Sequence, residues 1–233
     1  MENSSKQVTF EWPPLESDPE IFNKYFHKIG LPENIEFDEL WSLDYKEVQF
    51  LENPVIGVIC TISRPKGRYY LEENLVDYKQ VPFYMKQQGS LDNACGLVAA
   101  LHCFGNISDK MKLDEESILG DFLKKTAEYS PEERCRALEE NNRFKEVHHH
   151  SAQQGQSVMP TVQEKVYCHY IAFVNNDKNV VELDGTLSGP VIVKKNSLPE
   201  NLLDDAIEEL KMRIEKGFIS ENLSVIIVMQ KYE

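Results

Sequence analysis

The sequence predicts a mixed α/β (α+β) fold in which helices flank a β-sheet. Amphipathic helical patterns with recognisable ends alternate with short runs of β-branched residues. One pair of these runs is separated by an Asn- and Asp-containing turn, which is typical of an antiparallel hairpin. The chain has 233 residues, 41% of them hydrophobic, and such a length can bury a sizeable core. We therefore expect a single domain over residues 1–233.

The first helix signal follows Asp18. This residue is a good N-cap, Pro19 suits the first helical position, and Gly30 suits the position just past the helix end. Residues 54–62 are apolar enough to form a strand buried on both faces. A second strand is expected over residues 81–86, directly before the turn that leads to Cys95.

Helical patterns dominate the middle of the chain and recur near its end. We expect helices over residues 95–104, 114–128, 131–141 and 202–216, and a last strand over residues 223–229. Residues 148–161 show neither a helical nor a strand period. A segment of that length without regular structure inside a compact domain is typically a lid or a binding loop.

Composition and charge exclude several classes of function. The net charge is −14, so no basic stripe is available for nucleic acid. Residues 1–52 hold 12 acidic and four basic side chains and thus carry −8 of that charge, which suits a basic protein surface. The chain lacks a long apolar stretch, a signal-peptide core and a C-x-x-C pair, and it has five cysteines. We expect a cytoplasmic monomer with reduced thiols and no membrane, metal or cofactor.

Cys95 is the first candidate for chemistry. It lies where a polar turn meets an apolar helix, and either Asp92 or Asn93 can cap that helix. The positive end of the helix dipole favours the thiolate form of a nearby cysteine, which is the nucleophilic form. The alternative is a small buried cysteine that closes a strand-to-helix turn.

Among the six histidines, His169 is the best candidate base. His102 lies seven positions after Cys95 on the same helix and cannot reach the sulfur. His169 lies in a β-branched run, and a turn centred on Asn176 and Asp177 would place it directly opposite Asp184. A carboxylate there can hold the imidazole in one orientation, although an ordinary cross-strand polar pair is the alternative.

A cysteine, a histidine and an aspartate in these places are the nucleophile, base and orienting group of a cysteine hydrolase. With these three residues in these places, the chain resembles the ubiquitin C-terminal hydrolases, a family of papain-like cysteine peptidases. The motifs that carry the resemblance are Trp12-Pro13-Pro14-Leu15-Glu16, Phe83-Tyr84-Met85-Lys86-Gln87, Asn93-Ala94-Cys95-Gly96, Ser130-Pro131-Glu132-Glu133-Arg134, Gly155-Gln156, His169-Tyr170-Ile171 and Glu182-Leu183-Asp184-Gly185.

The resemblance implies a papain-like fold with a central, mainly antiparallel sheet flanked by helices. It implies that Cys95, His169 and Asp184 form the triad and that residues 148–161 form a crossover loop over the active site. The expected reaction releases small adducts or short peptides from the C-terminal glycine of ubiquitin, whose tail is basic. A ubiquitin-like substrate, or ubiquitin binding without turnover, is the alternative.

Two positions depart from the family pattern. The oxyanion-hole glutamine normally lies six residues before the nucleophile, and position 89 here is glycine. Gln87 and Gln88 lie eight and seven residues before Cys95; we favour Gln87, with a two-residue insertion after it, and keep Gln88 as the alternative. The second departure is Thr186, at a position where many relatives have a basic residue.

Overall fold

The computed structural model describes residues 10, 12–44, 51–63, 70, 72–152 and 168–232. In chain order, the α-helices and β-strands of these residues are α1 (Pro19–Ile29), β1 (Ile35–Leu40), β2 (Val55–Ser63), α2 (Cys95–Ile107), α3 (Ile118–Lys125), α4 (Pro131–Glu140), α5 (Asn142–Ala152), β3 (Cys168–Asn176), β4 (Asn179–Leu183), β5 (Val191–Lys195), α6 (Leu202–Glu215) and β6 (Ser224–Gln230). None of these helices is both long and apolar enough to cross a bilayer.

The six strands form one antiparallel sheet in the order β1-β6-β2-β3-β4-β5. Helices α1 to α5 contribute to a hydrophobic core on one face of the sheet, whereas α6 packs on the opposite face. Successive strand residues point to opposite faces, so the central strands are buried on both sides. The predicted mixed α/β fold with an antiparallel sheet is confirmed.

Several helix ends are set by the residues that the sequence indicated. Asp18 caps α1 and accepts a hydrogen bond from the N–H of Glu20, while Gly30 closes the helix with a φ of 110°. Helix α4 begins with a capping box formed by Ser130 and Glu133. Helix α3 is shorter than the predicted 114–128, because Ser117 caps it.

The predicted strand over residues 81–86 is wrong, because this extended segment pairs with no strand of the described sheet. Two polar side chains of α2 make hydrogen bonds to the backbone of this segment, where a neighbouring strand would otherwise pair with it. Asn106 bonds both the N–H and the C=O of Phe83, at 3.2 and 2.7 Å, and Nε2 of His102 lies 3.1 Å from both backbone groups of Met85. Residues four apart share one helix face, and alternate residues of an extended chain present their backbone groups to it. Asn106 satisfies both backbone groups of Phe83, and the single Nε2 of His102 serves one group of Met85 at a time, so α2 supplies hydrogen bonds that a partner strand would otherwise make.

The β3–β4 hairpin is confirmed, but its predicted register is wrong. Ala172 pairs with Leu183 and Asn176 with Asn179, so the two turn residues are Asp177 and Lys178. Both turn residues have positive φ, 48° and 59°, as a two-residue type I′ turn requires. Facing residues therefore differ by two positions from the prediction, and Asp184 is not directly opposite His169. A shift of two keeps every side chain on its face, so the two residues still meet.

The prediction of a loop over residues 148–161 is wrong for its first part. Residues 148–152 are the end of α5, and the remainder of that range, with Gly155 and Gln156, lies outside the described residues. His148 is buried among aromatic rings and its Nε2 lies 2.7 Å from the Pro13 carbonyl oxygen, whereas His149 and His150 are exposed. The run therefore places one ring in the core and two at the surface, because successive helical side chains point in directions about 100° apart.

Candidate active site

Cys95 is the first residue of α2 and is buried, with 3% of its surface exposed. The prediction that Asp92 or Asn93 caps this helix is wrong: the N-cap position is Ala94, and no side chain caps it. A short 3-10 turn over Gly89–Leu91 precedes the helix, and Ala94 donates its N–H to the Leu91 carbonyl oxygen at 2.9 Å. The first-turn N–H groups of α2, at the end of the helix that carries Cys95, are thus not covered by a capping side chain.

His169 and Asp184 form a buried hydrogen-bonded pair, with 2.7 Å between Nε2 and Oδ1. Burial of the ring opposes its charged form, but the hydrogen bond with Asp184, together with the nearby Cys95, outweighs burial and raises the pKa of His169 to about 9. Burial likewise disfavours the charged carboxylate, yet the bonds from His169 and Thr186 lower the pKa of Asp184 to about 2. The arrangement stabilises an imidazolium beside the sulfur and an ionised carboxylate behind it.

The carboxylate of Asp184 is held from its own loop. Its Oδ1 also accepts hydrogen bonds from the backbone N–H of Thr186 at 2.9 Å and from the Thr186 hydroxyl at 2.7 Å. The backbone carbonyl of Asp184 accepts the hydroxyl of Tyr84 at 2.7 Å. Thr186, which departs from the family pattern, therefore contributes directly to the orientation of Asp184.

Gly185 joins this loop to the segment that carries Gln87. The Gln87 N–H donates to the Gly185 carbonyl oxygen at 2.9 Å. A Cβ on Gly185 would lie 2.8 Å from the Cβ of Gln87 and 3.0 Å from the carbonyl oxygen of Met85. Only glycine permits this close approach without a backbone shift.

The two candidate glutamines lie in different environments. Gln87 is buried, with 6% of its surface exposed, and its Nε2 donates to the Asp92 carbonyl oxygen at 3.0 Å. A carboxamide has two N–H donors, so one remains for a ligand after this bond is made. Gln88 is exposed, and its backbone carbonyl accepts a weak bond from Cys135. The geometry thus favours Gln87 as the second oxyanion donor.

The other thiols and the other buried imidazoles are not suited to nucleophilic chemistry. Burial raises the pKa of Cys60 and of Cys103 well above the usual range, which keeps both as thiols. Cys168 is exposed, but it precedes His169 on β3, and adjacent strand residues point to opposite faces. Burial also lowers the pKa of His102 and of His148 to about 4, which favours the neutral rings.

Comparison with known proteins identifies the family of this chain. The sequence model described as ubiquitin carboxyl-terminal hydrolase, family 1, matches residues 12–215. This chain belongs to that family. A ubiquitin carboxyl-terminal hydrolase of Drosophila melanogaster is 37% identical over 188 residues, which cover 77% of this chain and 81% of that protein. Ubiquitin carboxyl-terminal hydrolase 3 of Arabidopsis thaliana is 30% identical and is covered over 98% of each chain.

Solved structures of the ubiquitin carboxyl-terminal hydrolase family have the same fold. The catalytic domain of Trichinella spiralis UCH37, bound to ubiquitin vinyl methyl ester, superposes with a TM-score of 0.75. The superposition covers 95% of this chain and 96% of that one at 23% sequence identity. The likeness therefore shows that this member has the family's catalytic-domain fold, which confirms the papain-like architecture.

The supporting residues of the site were not apparent from the sequence. Tyr84 binds the Asp184 carbonyl, while His102 and Asn106 hold the segment that leads to Gln87. The one available signal was a pair of polar residues four apart in an otherwise apolar helix. Side chains four apart lie on one helix face and can bond the same neighbouring segment, and buried polar side chains need such partners. Here the partner is the backbone of Phe83 and Met85.

Proposed function

We propose that this chain is a cysteine-type hydrolase that releases small adducts or short peptides from the C-terminal glycine of ubiquitin. Cys95 is the nucleophile, His169 the general base and acid, Asp184 the orienting carboxylate and Gln87 an oxyanion donor. The observation that carries the proposal is the buried 2.7 Å contact between His169 and Asp184, with Cys95 near enough to influence the pKa of the same imidazole.

The first half-reaction follows from the charges of the site. The Cys95 thiolate attacks the glycine carbonyl carbon, and the C=O electron pair moves to the oxygen. The backbone N–H of Cys95 and the second Nε2 hydrogen of Gln87 are the donors for that oxyanion. The His169 imidazolium then gives its proton to the leaving amine or thiol as the carbonyl re-forms, which leaves a thioester.

The second half-reaction uses the same groups in reverse. Neutral His169 removes a proton from water, the hydroxide adds to the thioester carbon, and the tetrahedral intermediate collapses with the Cys95 thiolate as the leaving group. Asp184 stays ionised throughout, because its hydrogen bonds and the His169 charge hold its pKa low. No cofactor is needed for either step.

The acidic character of the chain supports ubiquitin as the partner. Residues 1–52 carry −8 of the net charge of −14, and the C-terminal tail of ubiquitin is basic. Opposite charges accelerate encounter and align the tail, with a strong dependence on ionic strength. We also propose that residues 1–233 act as one monomeric catalytic domain in the cytoplasm, where free cysteines remain reduced.

Hydrolysis of ubiquitin carrying a fluorogenic amide on its terminal glycine tests the proposal. Wild type is expected to turn over, Cys95→Ala to be inactive, and Gln87→Ala to lose about 100-fold in kcat, as when an oxyanion donor is removed. Gln88→Ala is the matched control and is expected to retain its rate. Binding of ubiquitin by the wild type without turnover would replace the proposal with a binding-only role. Selective turnover of a ubiquitin-like protein would change the substrate.

A further inference from the structure

Helix α4 lies along the segment that carries Gln87 and contacts it in four places. From one end to the other, these contacts are Pro131 with Lys86, Arg134 with Tyr84, Cys135 with Gln88 and Glu139 with Ser90. The spacing of the four helix residues places them on one face. One helix face therefore follows the backbone from Tyr84 to Ser90, directly before the nucleophile.

The contact between Glu139 and Ser90 is the last and the most polar of the four. One carboxylate oxygen of Glu139 accepts both the backbone N–H of Ser90 at 3.1 Å and the Ser90 hydroxyl at 2.7 Å. Hydrogen bonds to an ionised acceptor are about twice as strong as neutral ones. The adjacent Gly89 has a φ of 64°, and a Cβ there would lie 3.2 Å from the same oxygen. The carboxylate is thus fitted closely against this turn.

The turn over Gly89–Leu91 lies between Gln87 and Cys95, in the stretch where the chain is longer than the family pattern if Gln87 is the oxyanion glutamine. It also sets the position of Asp92, whose N–H donates to the Gly89 carbonyl oxygen at 3.3 Å. The Asp92 carbonyl oxygen in turn accepts one N–H of the Gln87 carboxamide at 3.0 Å. Hydrogen bonds thus connect Glu139 to the Gly89–Ser90 peptide, that peptide to Asp92, and Asp92 to the Gln87 amide.

We propose that Glu139 is a positioning residue that holds the Gln87 amide in place through Ser90 and the turn over Gly89–Leu91. The inference rests on the proposed function, because it assigns Glu139 to the oxyanion step of that reaction. The charge of Glu139 alone would disfavour a developing oxyanion. Removal of the negative charge alone would therefore increase kcat. A decrease in kcat on removal of Glu139 would show that its effect comes from positioning the Gln87 amide.

The experiment measures kcat and KM for the ubiquitin amide in three variants. Glu139→Ala is expected to lose about tenfold in kcat with KM unchanged, a part of the cost of removing an oxyanion donor outright. Glu139→Gln keeps an acceptor oxygen and is expected to restore most of the rate. Glu140→Ala removes the same charge from the next, exposed position of α4 and is expected to match wild type.

Two further measurements separate positioning from a general structural role. Alkylation of Cys95 by iodoacetamide forms no oxyanion, so its rate is expected to be unchanged in Glu139→Ala. In a Gln87→Ala background, Glu139→Ala is expected to cause no further loss, because both changes act on one donor. An additive loss, or alkylation that falls in parallel with kcat, would overturn the inference.

Folding and the proposed function are controlled separately. If Glu139→Ala does not fold, Ser90→Ala removes only the hydroxyl and is expected to lose about threefold in kcat, since the Ser90 N–H still donates. An unchanged kcat in Ser90→Ala would then overturn the positioning role. Turnover by Cys95→Ala at the wild-type rate would instead overturn the proposed function, whatever the Glu139 variants show.

Discussion

The two sides of the candidate site are built in different ways. The side that carries His169 and Asp184 is a hairpin within a six-stranded sheet, with a continuous backbone ladder from Ala172 to Asn179. The side that carries Gln87 is an extended segment that pairs with no described strand and is held by side chains of α2 and α4. The candidate base thus lies on a strand of the sheet, whereas the segment that leads to the candidate oxyanion donor Gln87 is held largely by helix side chains.

The hairpin has a second support that the extended segment lacks. Glu182, two residues before Asp184, forms a fully buried ion pair with Arg213 of α6, and Glu209 bonds the same guanidinium at 2.7 Å. The charges of Glu182 and Glu209 raise the pKa of Arg213 despite its burial. Loss of one partner from a buried ion pair is strongly destabilising. The Glu182–Arg213 pair therefore stabilises the packing of α6 against β4. The hairpin therefore has two kinds of support, a backbone ladder and a buried ion pair, whereas the extended segment depends on individual hydrogen bonds from neighbouring helices.

The largest expected effect removes the charge on the hairpin side without breaking its ladder. Asp184→Asn is expected to fold and to lose about 10³–10⁴-fold in kcat, because the imidazole loses the group that orients it. The carboxylate also raises the pKa of His169 to about 9, so the alkaline fall in kcat/KM is expected near pH 9 in wild type. In the variant the imidazolium is lost at lower pH, and the fall moves in that direction. An unmoved alkaline limb would mean that another group titrates there.

A stability measurement compares two similar asparagines directly. Asn106 bonds the backbone N–H and C=O of Phe83 in the buried segment. Asn23 bonds the backbone N–H and C=O of Phe37 in β1, both at 2.8 Å, but these bonds are only partly buried. Asn106→Ala leaves two buried backbone groups unpaired, for a loss of about 2–4 kcal/mol in the free energy of unfolding. Asn23→Ala is the matched control and is expected to lose about 1 kcal/mol, since water replaces its bonds. Urea unfolding measures both, and equal losses would contradict the comparison.

The smallest effect tests the link between the two sides. The Tyr84 hydroxyl lies 2.7 Å from the Asp184 carbonyl oxygen and 2.8 Å from that of Leu187. Tyr84→Phe keeps the ring stacked on His102 but removes that hydrogen bond, for a loss of about 1 kcal/mol in stability. A decrease of about threefold in kcat with unchanged KM is expected, since a shift of Asp184 is passed to His169.

A matched control for Tyr84→Phe is Tyr25→Phe. The Tyr25 hydroxyl is equally buried and, among the described residues, has no hydrogen-bond partner. Its removal is expected to leave both stability and kcat unchanged. If the two variants behave alike in thermal unfolding and in turnover, the Tyr84 hydroxyl does not connect the two sides.

Local sequence signals predicted elements wherever the cause was local. The N-cap of α1, the apolar pattern of β2 and the turn of the β3–β4 hairpin were all visible in short windows, and each element is present. The exact position of the hairpin turn could not be predicted from the sequence. A register shift of two residues leaves every side chain on the same face, so the hydrophobic pattern does not reveal it. Strands β1 and β5 and helix α5 were missed, since the pattern of none of them is strong enough without its tertiary contacts.

The sequence by itself determined the family, the mixed α/β fold and the candidate set Cys95, His169 and Asp184, because short motifs in a fixed order carry that information. The tertiary structure alone showed that Gln87 is buried and Gln88 exposed, which favours Gln87 as the candidate donor, and it showed that residues 81–86 do not join the described sheet. Both outcomes depend on distant groups: Asn106 and His102 of α2 bond the backbone of residues 83 and 85, and the Gly185 carbonyl oxygen accepts the Gln87 N–H. An extended run has the same local pattern whether a strand or a side chain completes its hydrogen bonds.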